Sequence, residues 1–486
     1  MRRLLLLSLS LALAPSAHAS VTLLARGSLS GSGAGAGVDL SGLTGTLENG
    51  LPANVLGGLG SGLAYAGGNT FVATPDRGPN ATPYNAAVDD TVSYISRFQT
   101  LNLALAQNGA GATLPFTLTP TLTGTTLLSS TTPLIYGTGA GLGNKADGTP
   151  LGSGAPAQNT ASRSYFTGRS DNFAPGASGD PLNGRFDPES VRVANDGQSV
   201  FVSDEYGPYV RQFDRATGAL IKTYTLPANL DVANQSPQGA VEIAGNAVGR
   251  VANKGMEGLA LTPDGKTLVG IMQAALEQDA ATAPNLVRIV TIDVATGATH
   301  EYGYRLTTGT GVSDIVAIND HEFLVDERDG KGLGDNSKAK VKQIFHIDIA
   351  GATDITALAG GAAAAQAVSK APTPFLDLVS ALVASGVSPA DIPAKIEGLA
   401  FGQDVTLGGL PLHTLYIAND NDFTPDTAGP NQFYVFGFQD GDLPGYVAQA
   451  FSISAVPEPA SWAMMLGGFA VIGAALRRQR TRVAFV

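Results

Sequence analysis

Three apolar, strand-like runs each open on a glutamate: Glu189 in ESVRVA, Glu257 in EGLALT and Glu397 in EGLAFG. Four others close on an acid: Asp76 in FVATPD, Asp204 and Glu205 in FVSDE, Glu327 in FLVDE, and Asp420 in LYIAND. An isolated carboxylate at a strand end is an ordinary solvated turn residue. Carboxylates brought together repel unless a proton or a cation sits among them. Oxygen-only ligands select hard cations, Ca²⁺ or Mg²⁺, and flexible carboxylate and carbonyl ligands favour Ca²⁺. Arg77, Arg328, Lys254 and Lys395 lie within a few residues of these acids. Taken singly, each neutralises its neighbour; taken together, they suit a phosphate or carboxylate group on a substrate.

Whether the acids meet depends on the elements that carry them. Five segments share one pattern: a polar or acidic residue, an apolar run, a turn, a second apolar run, then charged residues. They span 61–78, 189–207, 257–277, 313–330 and 397–422. After two of them comes a second pair of runs, 209–213 with 220–226 and 287–294 with 300–306, each joined through Asp-x-x-Thr-Gly. Glycine can take the positive φ such a hairpin turn needs. Two successive hairpins make a four-stranded antiparallel unit, and repeated units of that kind are propeller blades.

In a hairpin, residues equidistant from the turn lie side by side. Reflection through each turn pairs Ser61 with Asp76, Glu189 with Asp204, Ser313 with Glu327, and Glu397 with Asp420; Glu257 falls on Met272, beside Gln273. Opening and closing acids therefore share one end of each unit. A ring of blades would gather Asp76, Glu189, Asp204, Glu205, Glu257, Glu327, Glu397 and Asp420 at one channel mouth.

The expected fold is all-β, a propeller of six four-stranded blades with loop insertions and a hydrophobic C-terminal helix. Five or seven blades are the alternatives, and a β-sandwich is the competing architecture. The sixth blade would come from residues 21–50 and 113–136. Residues 138–182 read as an inserted loop, and 358–392 as an insertion with a helix over 374–385. The composition agrees: only 14% of residues are charged and there are 61 Gly, which suits a turn-rich β protein.

Other chemistry is poorly supported. There is no Cys, so thiol catalysis, thiolate metal sites and disulfides are excluded. No Gly-x-Ser-x-Gly occurs, which removes the nucleophile elbow of an α/β-hydrolase. His300, His321, His346 and His413 lack metal-site spacing. GSGAGAG at 31–37 lacks a βαβ context and reads as a flexible loop, and Asp420, Asp422 and Asp426 lack EF-hand spacing.

Both ends carry processing signals. Arg2 and Arg3, the apolar run 4–14 and Ala17-His18-Ala19 form a secretory signal peptide over 1–19. Near the other end, Val456-Pro457-Glu458-Pro459 precedes the short apolar segment 461–476, then Arg477, Arg478, Arg480 and Arg482. Basic residues beyond that segment keep it on the cytoplasmic side and leave the body outside. The net charge is −12; without the Arg-rich ends the body 21–450 is near −17. Such a body is unsuited to nucleic acid or anionic lipid and compatible with cations.

Residues 456–482 resemble the PEP-CTERM sorting signal of Gram-negative bacteria. The resemblance implies transient membrane insertion, processing by an exosortase, and delivery to the cell surface or an exopolysaccharide matrix. The motifs ATPDRGPN, DPESVRV, VSDEYGP, KGMEGLALTPDGKTL, DERDG, KIEGLAF and IANDND together look like the phytase-like family, described as esterase-like activity of phytase, over roughly 22–440. That resemblance implies a propeller, often associated with calcium, that hydrolyses phosphate or carboxylic esters. The expected site uses Glu189, Asp204, Glu257, Glu327, Glu397 and Asp420 as ligands for Ca²⁺. Glu205 would be the general base, Glu257 a further catalytic group, and Arg77 and Arg328 would hold the anionic group of a small ester or exopolysaccharide. A lactonase, or a non-catalytic propeller that binds matrix polysaccharide or protein, is the alternative.

Overall fold

A computed structural model describes residues 21–30, 37–80, 92–138, 150, 152–169, 173, 176–236 and 238–451. The expected signal peptide and the C-terminal segment 461–476 lie outside these residues. Among the described residues, no helix is long and apolar enough to cross a membrane.

The five repeated segments become five blades around one axis. Blade one comprises Gly62–Tyr65, Thr70–Thr74, Arg97–Gln107 and Phe116–Leu127. Blade two comprises Pro188–Val193, Ser199–Asp204, Val210–Asp214 and Leu220–Tyr224. Blade three runs Met256–Leu261, Thr267–Met272, Leu286–Asp293 and Thr299–Arg305. Blade four has Gly311–Ala317, Glu322–Arg328 and Lys342–Asp348, with its outer edge split between Ser369–Lys370 and Leu376–Asp377. Blade five has Ile396–Phe401, Leu410–Asn419 and Asn431–Phe438, and its outer strand is the N-terminal Thr22–Leu29.

The count is therefore five blades, not six. Residues 22–29 complete the last blade, pairing Leu23 with Phe436 and Leu29 with Asn431. Strand Phe116–Leu127 is the outer strand of blade one. The material assigned to a sixth blade instead closes the ring and finishes the first unit.

The two Asp-x-x-Thr-Gly hairpins form as expected. Asp214 Oδ1 accepts from the Thr217 amide and hydroxyl at 2.8 and 2.7 Å, and Asp293 Oδ1 does the same with Thr296. Gly218 and Gly297 sit at φ 69° and 78°, a region costly for a side chain with a Cβ. The expected helix over 374–385 is the shorter Leu378–Ala384, capped by Asp377 accepting from the Ser380 amide at 2.9 Å.

All five inner strands are tied at one point on the axis. Asp314 accepts from Arg192 Nη2 at 2.8 and 2.9 Å, from the Ser190 hydroxyl at 3.0 Å, and from the Leu259, Ile315 and Leu399 amides. Arg192 Nη1 donates to the Leu63 carbonyl of blade one. The pair is buried and every blade supplies a partner, as a desolvated ion pair requires. The sequence reading did not single out either residue.

Candidate functional site at the channel mouth

Four inner strands carry a β-bulge at their first residues. The register slips between Pro188 and Val191, Met256 and Gly258, Val312 and Ile315, and Ile396 and Leu399. A bulge re-aims the side chains it contains. Glu189, Glu257 and Glu397 fall at these slips, buried to 7%, 4% and 4% exposure. The same slips move the pairing from that obtained by simple reflection: Asp204 pairs with Pro188, Met272 with Met256, Glu327 with Val312, and Asn419 with Ile396.

Around the mouth, Asp187, Glu189 and Glu205 each present an oxygen within 4.8 Å of the others. Two ligands on opposite sides of a Ca²⁺ at about 2.3–2.6 Å are separated by about that distance. Arg77 borders this group, with Nη1 2.9 Å from Asp187 Oδ2 and 3.8 Å from Glu205 Oε2. Asn253 accepts a further hydrogen bond from Arg77. The Glu205 carboxylate accepts from the Gly255 amide at 3.2 Å. No hydrogen bond or ion pair reaches the Glu189 carboxylate among the described residues, and Asp187, Glu257, Glu205 and Asp76 all act to raise it.

Next round the ring, Arg328 Nη2 lies between Glu397 Oε1 at 2.5 Å and Glu257 Oε1 at 3.4 Å. Gln273 Nε2 donates to Glu257 Oε1 at 2.9 Å. Asp76, Asp420 and Asp422 form a second group, with oxygens within 4.8 Å. Lys395 Nζ reaches Asp420 at 3.1 Å and Asp422 at 2.5 Å. The ring closes where Asp76 meets Arg77. Its carboxylates outnumber its three cationic side chains, Arg77, Arg328 and Lys395.

Burial, with that excess behind it, moves the acids upward. Burial raises Glu189 well above the usual carboxylate range, and Asp187 and Glu257 raise it further. Burial does the same for Glu257, aided by Glu205 and Glu397 against Arg328. Burial and Asp420 raise Asp76 well above that range. Glu205 is pushed to about 7 by burial and Asp187, against Arg77 and Arg250. Asp420 also reaches about 7, through burial, with Lys395 opposing and Asp422 adding.

Two expected ligands are elsewhere. Asp204 points back into its own loop and accepts from the Asp187 amide at 2.7 Å and the Gly207 amide at 2.6 Å. It braces the loop that carries Asp187. Glu327 is turned to the other face of its strand. It accepts from Tyr304 Oη at 2.6 Å, from the amides of Thr308 and Gly309, and from Lys370. Burial alone would raise it, but Lys370, Tyr304 and the amides outweigh burial and hold it at about 2. Because Val312 pairs with Glu327, the bulge residues Ser313 and Asp314 face the axis, and Arg328 takes the mouth position in blade four. Asp187 was not singled out, and Asp422 was set aside because it lacks EF-hand spacing. Asp187 stands one residue before the strand that carries Glu189, and Asp422 two after Asp420, so an allowance for flanking loop residues would have found both.

The family model described as esterase-like activity of phytase matches residues 54–423, and the PEP-CTERM protein-sorting motif matches 455–480. An uncharacterized secreted protein of Arthroderma benhamiae is 31% identical over 264 residues, covering 49% of this chain. The match spans about half of that relative, 47%. A gluconolactonase from Xanthomonas campestris aligns at 12% identity over 79% of this chain and 87% of its own, with a TM-score of 0.28. A luciferin-regenerating enzyme aligns at 11% identity over 82% and 97%, with a TM-score of 0.31. Superpositions that loose carry nothing about this site. The family match spans most of the chain and includes the mouth residues from Asp76 to Asp422: the chain belongs to the phytase-like family of propellers and carries a PEP-CTERM sorting motif.

Proposed function

We propose that the chain is a surface-sorted hydrolase that splits phosphate or carboxylic esters at the acidic mouth with the help of a bound divalent cation, Ca²⁺ first. The supporting observation is Glu189: a buried carboxylate, without a hydrogen-bond donor among the described residues, surrounded by other acids. Such a group needs a proton or a cation. Asp187, Glu189 and Glu205 have the oxygen chemistry and the spacing for Ca²⁺, and Glu257, Glu397 and Asp420 line the same ring. The cation would polarise the ester oxygen and lower the pKa of a water.

The chain's own groups divide the remaining work. Glu205, held by the Gly255 amide, would take the proton from the attacking water. Arg77 binds Asp187 and Asn253 through Nη1 alone, so its other nitrogens are available to the anionic group. Arg328 uses Nε and Nη2 on Ser313, Glu257 and Glu397, leaving Nη1 for the same purpose. Glu257 orients Arg328.

Delivery follows from the ends. A signal peptidase removes residues 1–19, and an exosortase acts at the PEP-CTERM segment of a Gram-negative host. The substrate is a small anionic ester or an ester on an exopolysaccharide. The test is hydrolysis of p-nitrophenyl phosphate, p-nitrophenyl acetate and a simple lactone by the purified chain, with Ca²⁺ and with chelator. Ca²⁺-dependent turnover of one of them, lost in Glu257→Gln, is the expected result. No turnover of any under either condition overturns the hydrolase and leaves a binding propeller.

A further inference from the structure

The acids ring one end of the channel, and a different part of the chain covers the other. At the end away from the acids, the inner strands finish at Tyr65, Val193, Leu261, Ala317 and Phe401. Residues 445–451, the last described before the sorting segment, cross these strand ends blade by blade. Tyr446 packs its ring 4.6 Å from Phe401 and 4.7 Å from His413 in blade five. The Val447 amide donates to the Ile318 carbonyl of blade four at 2.8 Å, and Asn319 Nδ2 donates to the Gly445 carbonyl at 3.2 Å. Gln449 Nε2 donates to the Val193 carbonyl at 2.8 Å and to Asn195 Oδ1 at 2.7 Å, both at the end of blade two. Phe451 ends against Tyr65 of blade one, ring centroids 5.7 Å apart. Beneath the crossing is a cavity of about 60 Å³, lined among others by Leu63, Arg192, Val316 and Tyr446.

We infer that residues 445–451 are a strap that seals the channel floor and sends the sorting segment out from the face opposite the acidic mouth. Three features carry this. The strap's partners belong to four different blades, so it staples the ring where no strand does. Two of its hydrogen bonds are accepted by backbone carbonyls at the floor ends of blades two and four, Val193 and Ile318. An inner strand of six residues separates floor from mouth by about 20 Å. While the chain is held by its C-terminal segment, the mouth therefore faces away from whatever holds it. Substrate arrives from the outer side, and the channel is blind. A polymer cannot thread through it, so a terminal or pendant group is the part that reaches the acids. This last step rests on the hydrolase reading above; the strap and its direction do not.

The absence of cysteine allows a clean test on the full chain. Ala64→Cys reports on the floor, with Ala317→Cys as a second floor reporter should the first fold poorly. Lys254→Cys, exposed beside Asn253, reports on the mouth rim. With the strap intact, a small maleimide should label the floor reporter at least tenfold more slowly than the rim reporter. In a Tyr446→Ala/Gln449→Ala background the floor reporter should speed up about tenfold while the rim reporter stays unchanged. Fast floor labelling with the strap intact overturns the seal, and so does equal acceleration at both reporters. Direction is read with a bulky maleimide polymer on chain immobilised through a tag after Val486. Asp320→Cys at the floor should slow several-fold and Lys254→Cys should not; the reverse, or equal slowing, overturns the stated direction. None of these readouts depends on turnover, so a failed esterase assay leaves them intact.

Discussion

The mouth of the channel and the axial tie just beneath it treat buried charge in opposite ways. At the tie, Asp314 faces Arg192 and donors from several strands, so its carboxylate is fully engaged. At the mouth, one or two residues further along the same strands, Glu189 accepts no hydrogen bond among the described residues, and the charges that raise it are other acids. Both places are desolvated. The difference is whether the protein supplies the counter-charge itself. A buried acid with its own arginine and amides holds the fold together. A buried acid without one leaves a place for something from outside.

The largest effect that would break this contrast is at the axial tie. Asp314→Ala strands the Arg192 charge and several amides and should cost about 3–5 kcal/mol, read as a lowered urea midpoint or as failure to fold. Little change would mean that the axial pair is not what ties the blades. The second effect is at the mouth. Ca²⁺ at a hundredfold excess over its Kd should stabilise the chain by about 2.7 kcal/mol, and chelator should remove that gain. A melting temperature indifferent to both would place the mouth acids with Asp314.

Glu327 sharpens the comparison, because in sequence it is indistinguishable from the mouth acids. With its pKa held near 2, its stabilising contribution is complete above the unfolded value near 4.5 and is lost as pH falls through about 2. Glu327→Gln should therefore destabilise the chain at pH 7, by about 1–3 kcal/mol, without altering Ca²⁺ affinity. A change in affinity would return Glu327 to the site.

A smaller effect has the opposite sign. Glu205 and Asp420 are raised to about 7, so their contribution is present below the unfolded value near 4 and is lost as pH rises through 7. Denaturation of the Ca²⁺-free chain should become easier from pH 5 to pH 8. Saturating Ca²⁺ should flatten that slope; a slope unchanged by Ca²⁺ would mean that the acids answer only to protons.

Much of the molecule was legible in the sequence because it rests on local signals. The five repeated hairpins and the Asp-x-x-Thr-Gly turns are short-range patterns, and each became a blade or a turn. The ring closure was not legible, since strand Thr22–Leu29 finds its partner some four hundred residues away. Of the acids expected at one mouth, Glu189, Glu257, Glu397, Asp76 and Asp420 do converge. The reflection that brought them together misplaced Asp204 and Glu327, because a bulge adds one residue to a strand without leaving a clear mark in the sequence. The Asp314–Arg192 pair was hidden for the same reason: only the bulge in blade four turns Asp314 toward the axis.

The central claim is that the mouth is short of counter-charge around Glu189, which a divalent cation supplies. Calorimetric titration of Ca²⁺ into the purified chain and into its Glu189→Gln variant tests it most directly. The account predicts saturable binding by the parent chain and loss of at least one site in the variant, whose cation-free form should be no less stable than the parent. No binding by the parent, or identical binding by the two, would contradict it.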